Sequence, residues 1–437
     1  MTARMADATL RFSGSLEELS DAMERELFDR SVDVDPEIAS ATRTIIGRVK
    51  ATGDSALREL AMELDGVALE RIEVPRSAID EALTSITDEL RETFERAAAN
   101  IRKAHEPQLP SESSVEVEPG VFISRRPDPL KRIGAYAPGG TAAYASSVLM
   151  TVIPARVAGV DEIILCSPAR SDGNPAREIL AAAAIAGVDR VFAVGGAGAI
   201  AAMAFGTRSI PRVDRIVGPG NAYVAEAKSQ LASRVGIDCP AGPSELLIIA
   251  DSSASPYVVA REAVAQAEHD PRAVVGIVIV GASSDEILSA LRVTADSQPR
   301  RQIVAEALRT RGFVIDVATT VEALQIATRF APEHLLIVTR DAEVIAAEVR
   351  GAGAVFVGAS SSVAFGDYIT GANHVLPTAG LARANSGLSI LDFVRWTSVQ
   401  RVTKDAAKRL AGPAGVLARA EGLPGHAAAA EYWGITR

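Results

Sequence analysis

The chain has 437 residues, of which 48% are hydrophobic but only 4% aromatic, and its formal net charge is −10. Acidic and basic residues are interspersed without a basic stripe, so we expect neither a nucleic-acid nor a membrane partner. An aliphatic rather than aromatic interior is typical of parallel α/β sheets covered by helices on both faces.

The N-terminal quarter is charged and helical in its periodicity. Helices are predicted within Leu16–Glu26, Ile38–Leu64 and Ala78–His105, with a short extended piece at Arg71–Val74. The pattern breaks at Gly134–Thr141, where a strand runs into a glycine-rich turn.

An internal similarity follows that turn. Ala158–Leu165 resembles Ala186–Ala193, and Val213–Val217 echoes both, with their valines 28 and then 25 residues apart. This spacing fits one helix plus one strand, which predicts successive βα units of a parallel sheet.

A second series of short apolar runs alternates with helical stretches such as Pro256–Gln266 and Asp285–Thr294, which again predicts parallel βαβ topology. The predicted strands are Leu246–Ala250, Val274–Val280, Phe313–Val317, Leu335–Val338 and Ala354–Val357. The break between the two lobes is expected near Ala241–Ser244. From Ile390 onward the pattern is helical, at Lys404–Leu410 and Pro413–Ala420, without a strand signal.

Location and redox state are predicted from what the sequence lacks. The first residues, MTARMADATLRFSG, contain no continuous apolar stretch of the kind found in signal peptides, and no uncharged apolar run reaches membrane-spanning length. We therefore expect a cytoplasmic protein, with Cys166 and Cys239 as buried reduced thiols.

Histidine is scarce and clustered. Of five histidines, four lie in short polar segments, namely Gln266–Asp270, Pro332–His334, Gly366–His374 and Glu421–His426. Histidine titrates near neutral pH and is the commonest metal ligand. The clustering therefore predicts one composite site that carries both a metal and acid–base chemistry.

Two of these clusters suggest separate roles. Gln266 and His269 are three residues apart and share a helix face, and Asp367 could approach them from a loop to form a zinc site, although His269 could instead cap a helix and Asp367 start a turn. The adjacent Glu333 and His334 point in different directions and could serve two proton transfers. Their alternative is a helix N-terminus with an acid against the dipole.

Glycine-rich turns indicate a nucleotide site, but less strongly than the histidine clusters indicate a metal site. Gly196-Ala-Gly198-Ala-Ile-Ala201 follows an apolar strand, as in the dinucleotide fingerprint, but close helix–strand packing explains these glycines equally well. The expected acid would be Asp214, which precedes its strand instead of ending it. Gly218–Asn221 is a tight turn at a strand C-terminus, where α/β sheets place ligands.

Taken together, these motifs resemble the histidinol dehydrogenase family. The segments that carry the resemblance run in family order from about residue 100 to the C-terminus: Ile133–Gly140, Gly218–Val224, Ala241–Glu245, Gln266–His269, Ala331–His334, Gly366–Tyr368, Asn373–Pro377 and Glu421–His426. The family oxidises L-histidinol to L-histidine through L-histidinal, in the last steps of histidine biosynthesis. It uses two NAD⁺ per turnover and one zinc per subunit.

The resemblance implies roles for individual residues of this chain. Zinc ligands would be Gln266, His269, Asp367 and His426, all of which would also face the substrate. His334 would contact the substrate and act as the general base, and Glu333 would activate water at the aldehyde stage. Further substrate contacts would come from Ser244, His374 and Glu421, and NAD⁺ would meet Tyr136, Asn221 and the position of Gly198, where one cofactor contact of the family is lost or replaced.

The implied architecture is α/β, with two Rossmann-like parallel-sheet lobes. The expected units are an N-terminal helical arm (1–31), a larger α/β domain with the Glu–His pair and most metal ligands (32–135 and 244–388), a smaller Rossmann-like NAD-binding domain (136–243) and a C-terminal helical tail (389–437). Family members are homodimers with shared active sites, so the tail would cross over and bring Glu421 and His426 to the partner's site.

Several positions depart from the family pattern. Gly198 stands where glutamine is usual, Asp270 where glycine is frequent, and Ser362-Val363 where a Pro-Glu pair is usual. Some relatives oxidise other small alcohols, including sulfonated diols, so a paralogue with such a substrate is the main alternative. A zinc hydrolase or a non-catalytic binding protein is disfavoured by the glycine turns and the intact Glu333-His334 pair. A zinc protease is not supported, because no HExxH motif is present.

Overall fold

The computed structural model describes residues 10–30, 35–139, 143–239 and 242–435. Gly140 and Thr141 of the glycine-rich turn and Ala241 of the expected lobe boundary lie outside the described residues. Its strands are β1 (Phe12–Ser15), β2 (Ser113–Glu118), β3 (Val121–Pro129), β4 (Arg132–Tyr136), β5 (Glu162–Cys166), β6 (Arg190–Phe192), β7 (Arg215–Val217), β8 (Gly236–Ile237), β9 (Glu245–Asp251), β10 (Val274–Val280), β11 (Gly312–Val317), β12 (His334–Val338), β13 (Ala354–Val357) and β14 (Val394–Val402).

Helices separate most of these strands. They are α1 (Asp21–Phe28), α2 (Pro36–Thr52), α3 (Asp54–Leu60), α4 (Arg76–Ser85), α5 (Asp88–His105), α6 (Ala145–Val157), α7 (Arg177–Ala186), α8 (Gly196–Phe205), α9 (Ala222–Leu231), α10 (Pro256–Ala267), α11 (Asp285–Asp296), α12 (Arg301–Arg311), α13 (Thr320–Phe330), α14 (Ala342–Glu348), α15 (Val363–Tyr368), α16 (Lys404–Ala420) and α17 (Pro424–Ile435). No helix within the described ranges is long and apolar enough to cross a membrane.

The smaller sheet is parallel, with strand order β6-β5-β4-β7-β8. Its strands are short and mostly buried, and α6 to α9 connect them, as the internal similarity of Ala158–Leu165, Ala186–Ala193 and Val213–Val217 predicts. The chain leaves β4 in one direction and returns to pair β7 on its other side. This reversal creates a crevice at the carboxyl ends of β4 and β7, where such sheets bind ligands.

The larger sheet repeats this plan. Its order is β1-β11-β10-β9-β12-β13, with every pair parallel. Its central strands are continuous apolar runs such as Val274–Val280, because helices cover both faces. The predicted α/β class with two parallel-sheet lobes is confirmed. Cys166 and Cys239 are both free thiols, and Cys166 is buried as expected, whereas Cys239 is only partly buried.

The N-terminal helices pack differently from the sequence-based grouping of 32–135 with 244–388. Ile46, Leu57 and Ile101 of α2, α3 and α5 share one apolar core with the smaller sheet. The contact is tight because α8 offers small residues to α3, where a methyl group at Gly198 would meet Leu60. Glu73 also bridges to Phe192 of β6. These helices therefore complete the smaller lobe.

The N-terminal arm is not purely helical. Phe12–Ser15 forms β1, which pairs in parallel with β11 at the edge of the larger sheet. The helix expected over Leu16–Glu26 begins at Asp21, after Ser20, whose side chain accepts a hydrogen bond from the Met23 N–H. β1 has only four residues, and so short an alternation of apolar and polar side chains does not distinguish a strand from the start of a helix.

The C-terminal segment also contains a strand that the sequence analysis does not predict. The expectation of no strand after Ile390 is wrong, because Val394–Val402 forms β14 and pairs antiparallel with β3, which in turn pairs with β2. Charged and polar residues interrupt this strand, and most of its side chains are exposed, so no apolar run marks it. Beyond Thr403 the tail is helical, with α16 packed against α17.

Candidate active site

Glu333 and His334 lie where the chain enters β12. α13 ends at Phe330, and Ala331 takes a left-handed conformation (φ 47°) that turns the chain toward the sheet. The two side chains are buried, at 6% and 5% exposure. Because His334 opens a central strand, the alternative of a helix N-terminus for this pair does not apply.

The backbone of Glu245, at the start of the neighbouring β9, holds both members of this pair. Its N–H donates to Glu333 Oε2 (2.8 Å), and its carbonyl oxygen lies 3.1 Å from His334 Nδ1. A carbonyl oxygen can only accept, so we infer that Nδ1 carries the proton and Nε2 keeps its lone pair. The family resemblance implies no role for Glu245, although this residue ends the segment Ala241–Glu245 that carries part of the resemblance.

Burial sets the protonation states of the pair. Desolvation lowers the pKa of His334 to about 4. Desolvation also raises the pKa of Glu333 well above its ordinary range, and the nearby charges of Glu245 and Asp367 act in the same direction. At neutral pH His334 is therefore an unprotonated base, and Glu333 is a carboxyl group that binds a proton readily.

Asp367, in α15, faces the same histidine. Its Oδ1 lies 3.7 Å from His334 Nε2. Burial raises the pKa of Asp367 to about 6, and the charge of Glu262 on α10 contributes to the shift. Glu262 also accepts a hydrogen bond from the Val363 N–H (3.0 Å), which ties the start of α15 to α10. Val363 is one of the two residues that replace the family's usual Pro-Glu pair.

Gln266 and His269 come from the end of α10. This is the helix that the Glu262 side chain ties to α15. Gln266 is buried, and its Nε2 has no hydrogen-bond partner. The His269 N–H donates to the Gln266 carbonyl oxygen (3.3 Å), and burial lowers the pKa of the His269 side chain. An unpartnered amide beside a neutral imidazole leaves two side-chain donors available to a ligand.

His374 connects the candidate site to the smaller lobe. Its Nδ1 is 2.8 Å from the Asp367 carbonyl oxygen, and its Nε2 is 3.5 Å from Ser147 Oγ on α6. Burial lowers its pKa, and His269 lies close enough to act on it electrostatically. Ser147 was missed by sequence reasoning, because a lone serine in an apolar helix carries no signal.

The remaining substrate residues of the sequence analysis fall into two groups. Ser244 directly precedes Glu245, and it is partly buried at the entrance to β9. Glu421 and His426 are exposed around the turn between α16 and α17. Among the described residues, neither makes a hydrogen bond or ion pair with the groups around His334. One chain therefore brings together Glu333, His334, Asp367 and His374, with His269 close enough to act on both other histidines electrostatically. Ser244 adjoins Glu245, Gln266 lies three residues before His269, and within the described part of the chain the two tail residues make no contact with this cluster.

The donor set of one chain is incomplete for a metal. Within the described ranges, no group of three or more His, Cys, Asp or Glu side chains is placed to hold an ion. Gln266, His269 and Asp367 do offer the nitrogen and oxygen donors that zinc accepts, the first through its amide oxygen. A closed zinc site needs a fourth donor, which the expected ligand His426 does not supply from its own chain.

The crevice of the smaller sheet contains Tyr136, at the carboxyl end of β4. Its hydroxyl oxygen accepts a hydrogen bond from the Gly196 N–H (3.0 Å) at the start of α8. Burial raises the pKa of Tyr136 to about 12. Tyr136 thus ties the start of α8 to the sheet, beside the turn that follows β7.

That turn is anchored by a buried ion pair. Gly218 donates its N–H to Asp238 Oδ2 (2.7 Å), and its carbonyl oxygen accepts from Lys228 Nζ (2.5 Å). Lys228 also pairs with Asp238. Gly218 has φ 113°, and a Cβ there would lie 2.2 Å from the Tyr136 carbonyl oxygen. Only glycine lets the turn lie this close to β4.

Asn221 and Gly198 differ in accessibility. Asn221 is exposed and caps α9, its Oδ1 accepting from the N–H groups of Tyr223 and Val224 (both 3.1 Å). Gly198 is buried, and a Cβ there would meet Leu60 at 3.2 Å and Leu57 at 3.5 Å. The glycine therefore serves the packing of α8 on α3, and its position offers no open face to a ligand.

Comparison with known proteins agrees with these observations. The family model described as histidinol dehydrogenase matches residues 28–433. The histidinol dehydrogenase of Methanosarcina barkeri is 43% identical over 417 residues, covering 94% of this chain and 95% of the relative. That of Methanothermobacter thermautotrophicus is 44% identical over 406 residues, covering 92% and 95%.

A solved structure extends this similarity to the fold. The crystal structure of histidinol dehydrogenase from Elizabethkingia anophelis superposes with a TM-score of 0.91 at 33% identity, covering 97% of this chain and 98% of that one. A family match across nearly the whole sequence, with close relatives and the same fold, leads to one conclusion. The chain belongs to the histidinol dehydrogenase family.

Proposed function

We propose that this chain oxidises L-histidinol to L-histidine through L-histidinal, with NAD⁺ as the oxidant, in the last steps of histidine biosynthesis. The observation that carries the proposal is the buried Glu333–His334 pair, whose histidine is neutral and keeps its Nε2 lone pair free. The identity of the proposed substrate comes from the names of the relatives.

The overall change requires R–CH₂OH + 2 NAD⁺ + H₂O → R–COO⁻ + 2 NADH + 3 H⁺. Bound NAD⁺ supplies the hydride acceptor for each of the two oxidations. The chain's task is to hold the carbinol carbon and to remove protons. His334 Nε2 takes the hydroxyl proton in each oxidation, and Glu333 assists the water that adds to the aldehyde.

Zinc is proposed at Gln266, His269 and Asp367, with His426 of a second subunit as the fourth ligand. When bound, the metal would supply a Lewis acid that orients the substrate's amino-alcohol end. The support in this chain is the chemistry of the donors, since burial keeps the His269 imidazole neutral and the side chains of Gln266 and Asp367 offer oxygen atoms. The same residues would then line the substrate together with Ser244 and His374.

NAD⁺ is proposed at the crevice between β4 and β7. The turn at Gly218 and the exposed Asn221 form one wall, and the start of α8 above Tyr136 forms another. A helix N-terminus favours a pyrophosphate group. Gly198 would contribute only by allowing α8 to pack on α3, since its position is buried.

A homodimer is proposed because the three-stranded sheet and the tail leave large apolar side chains exposed. They are Val115 and Val117 on β2, Trp396, Val399 and Val402 on β14, and Val416, Leu417, Leu423, Tyr432 and Trp433 on the tail. A patch of this kind is unusual on a monomer. Crossing of the tail would deliver Glu421 and His426 to the partner's site.

Acidic groups around the site favour a cationic alcohol. Asp367, Glu262 and Glu333 lie close together, and Glu421 would join them from the partner. A sulfonated or otherwise anionic alcohol would be repelled by Asp367, Glu262 and Glu421, whereas burial favours the uncharged form of Glu333. Histidinol, which carries an ammonium and an imidazole, fits better.

The test is NADH formation followed by absorbance, with purified protein, zinc and either histidinol or a small anionic diol. We expect a higher kcat/KM for histidinol, two NADH per substrate consumed, and one zinc per chain by elemental analysis. A higher kcat/KM for the diol would move the chain to another substrate within the same family. No NADH formation with either alcohol would refute the proposed reaction.

A further inference from the structure

An arginine of the N-terminal arm reaches the interior beside the Glu–His pair. Arg30 follows α1, and its side chain is only 8% exposed. The arm itself is fixed by the pairing of β1 with β11 and by packing of α1 against α13. Charged side chains of this length seldom lie buried without a specific partner.

Arg30 has two contacts, one on each chain segment that leads into the pair. Its Nη1 forms an ion pair with Glu245 Oε1, and its Nη2 donates to the Phe330 carbonyl oxygen. The guanidinium also lies over the Phe330 ring, 3.5 Å from the centroid. Phe330 is the last residue of α13, three positions before Glu333.

Glu245 passes this restraint to the reacting groups. Its Oε1 also accepts a hydrogen bond from the Ala379 N–H (2.9 Å). The same carboxylate oxygen is therefore held by both Arg30 and the Ala379 backbone. Its backbone N–H and carbonyl oxygen are the groups that orient Glu333 and His334. A shift of the Glu245 backbone would therefore move both side chains together.

A role in stability alone explains this ion pair poorly. Desolvating two charges costs more than most buried pairs recover, and apolar residues of the same size often stabilise such a site better. Here Glu245 Oε2 and Arg30 Nε are buried without hydrogen-bond partners, which adds to that cost. What the pair supplies is a fixed position for the Glu245 backbone.

We propose that Arg30 is a positioning residue, which acts through Glu245 to hold His334 Nε2 and Glu333 in their reactive orientation. This inference rests on the roles proposed above for Glu333 and His334. It assigns a function in the reaction to the N-terminal arm, which carries none of the residues proposed above to bind substrate or cofactor.

The test replaces Arg30 with methionine, which keeps the length and removes the charge. A displacement of about 1 Å at a reacting group can cost on the order of 10²-fold in rate. We therefore expect kcat to fall by at least about 10-fold for both histidinol and histidinal. KM for NAD⁺ and bound zinc should stay unchanged, because Arg30 contacts neither proposed site. Rates are measured far below the melting temperature and expressed per folded subunit.

Arg11→Met is the matched control. Arg11 lies on the same arm and forms an ion pair with Glu26 (2.7 Å), but it does not contact Glu245. We expect a lower melting temperature with wild-type kcat. If Arg30→Met behaves in the same way, Arg30 only anchors the arm and the inference is refuted.

Two further variants keep the test decisive if Arg30→Met folds poorly. Arg30→Lys keeps the charge and should recover part of kcat, whereas Glu245→Gln removes the ion pair and keeps both backbone hydrogen bonds. The losses from Arg30→Lys and Glu245→Gln should not add in the double variant, because both disturb one contact. Additive losses would overturn the proposal.

His334→Asn, measured in parallel, separates a failure of the proposed base from a failure of the proposed role of Arg30. If the His334→Asn variant is active, His334 is not the base, and the proposed role of Arg30 is refuted as well. An inactive His334→Asn beside a fully active Arg30→Met would refute only the role of Arg30.

Discussion

Replacing Gly218 with alanine tests whether close backbone contact between β4 and the turn after β7 forms the NAD⁺ crevice. The new Cβ would lie 2.2 Å from the Tyr136 carbonyl oxygen, whereas ordinary contacts begin at 3.4 Å, so the turn would have to move by about 1 Å. At φ 113° an alanine would also be strained by ~1–3 kcal/mol. Asn221 would move with the turn.

The expected result is a loss of about 10²-fold in kcat/KM for NAD⁺, the scale that a displacement of this size produces. KM for histidinol should change little, because the groups around His334 lie on the other lobe. The measurement is initial-rate kinetics with NAD⁺ varied at saturating histidinol.

The matched control is Gly187→Ala in the same lobe. Gly187 has a left-handed φ of 81°, but a Cβ there would meet nothing closer than Arg156 Nε at 3.8 Å. It carries the strain without the clash, and its kcat/KM for NAD⁺ should stay within about threefold of wild type, which is less than 1 kcal/mol. Equal NAD⁺ kinetics in the two variants would refute the reasoning about the crevice.

Three further predictions concern the reaction, the assembly and the stability. Glu333→Gln should slow aldehyde oxidation more than alcohol oxidation, and equal losses in the two half-reactions would contradict its role with water. Mixing His269→Ala with His426→Ala protein should restore some activity through hybrid dimers, and no recovery despite confirmed subunit exchange would place His426 in its own chain's site. Burial lowers the pKa of His105 from 6.5, so below that pH the unfolded chain takes up a proton that the folded chain excludes. His105→Leu should therefore lose less stability between about pH 6.5 and 5.5 than wild type does, by up to ~1 kcal/mol; parallel stability–pH curves would count against this.

Much of the fold could be predicted from local patterns. The strands β9 to β12 are buried apolar runs between helices, β13 is a shorter, partly exposed one, and their parallel arrangement follows from that alternation. β1 and β14 could not be found in this way. The first has four residues and pairs with a distant strand, and the second is an exposed ribbon rich in polar residues.

The partnership of the N-terminal helices was equally invisible. Their amphipathic faces show that they pack on something, but not on which sheet. The small residues of α8, including Gly198, receive Leu57 and Leu60, so 36–105 packs with the smaller lobe. A motif match to Gly198 therefore suggested a cofactor contact at a position that the packing of two helices explains.

For the candidate site, sequence motifs identified residue types but not their supports. Glu333, His334, Asp367 and His374 do lie together. Glu245 holds two of these side chains with its backbone, and a backbone contact leaves no trace in residue identity. Arg30 lies far away in sequence, so only the fold could show that it reaches this carboxylate.

The pairing of β1 with β11 also fixes an order of events during synthesis. Phe12 lies opposite Phe313, so β1 leaves the ribosome long before its partner β11 has been made. Until then the arm and its apolar face are exposed to water and to other nascent chains. Arg30 meets Glu245 only when the arm docks, and docking also brings Leu27 and Phe28 into the core of the larger lobe. A bulky N-terminal fusion would therefore delay both the completion of that core and the alignment of the reacting groups.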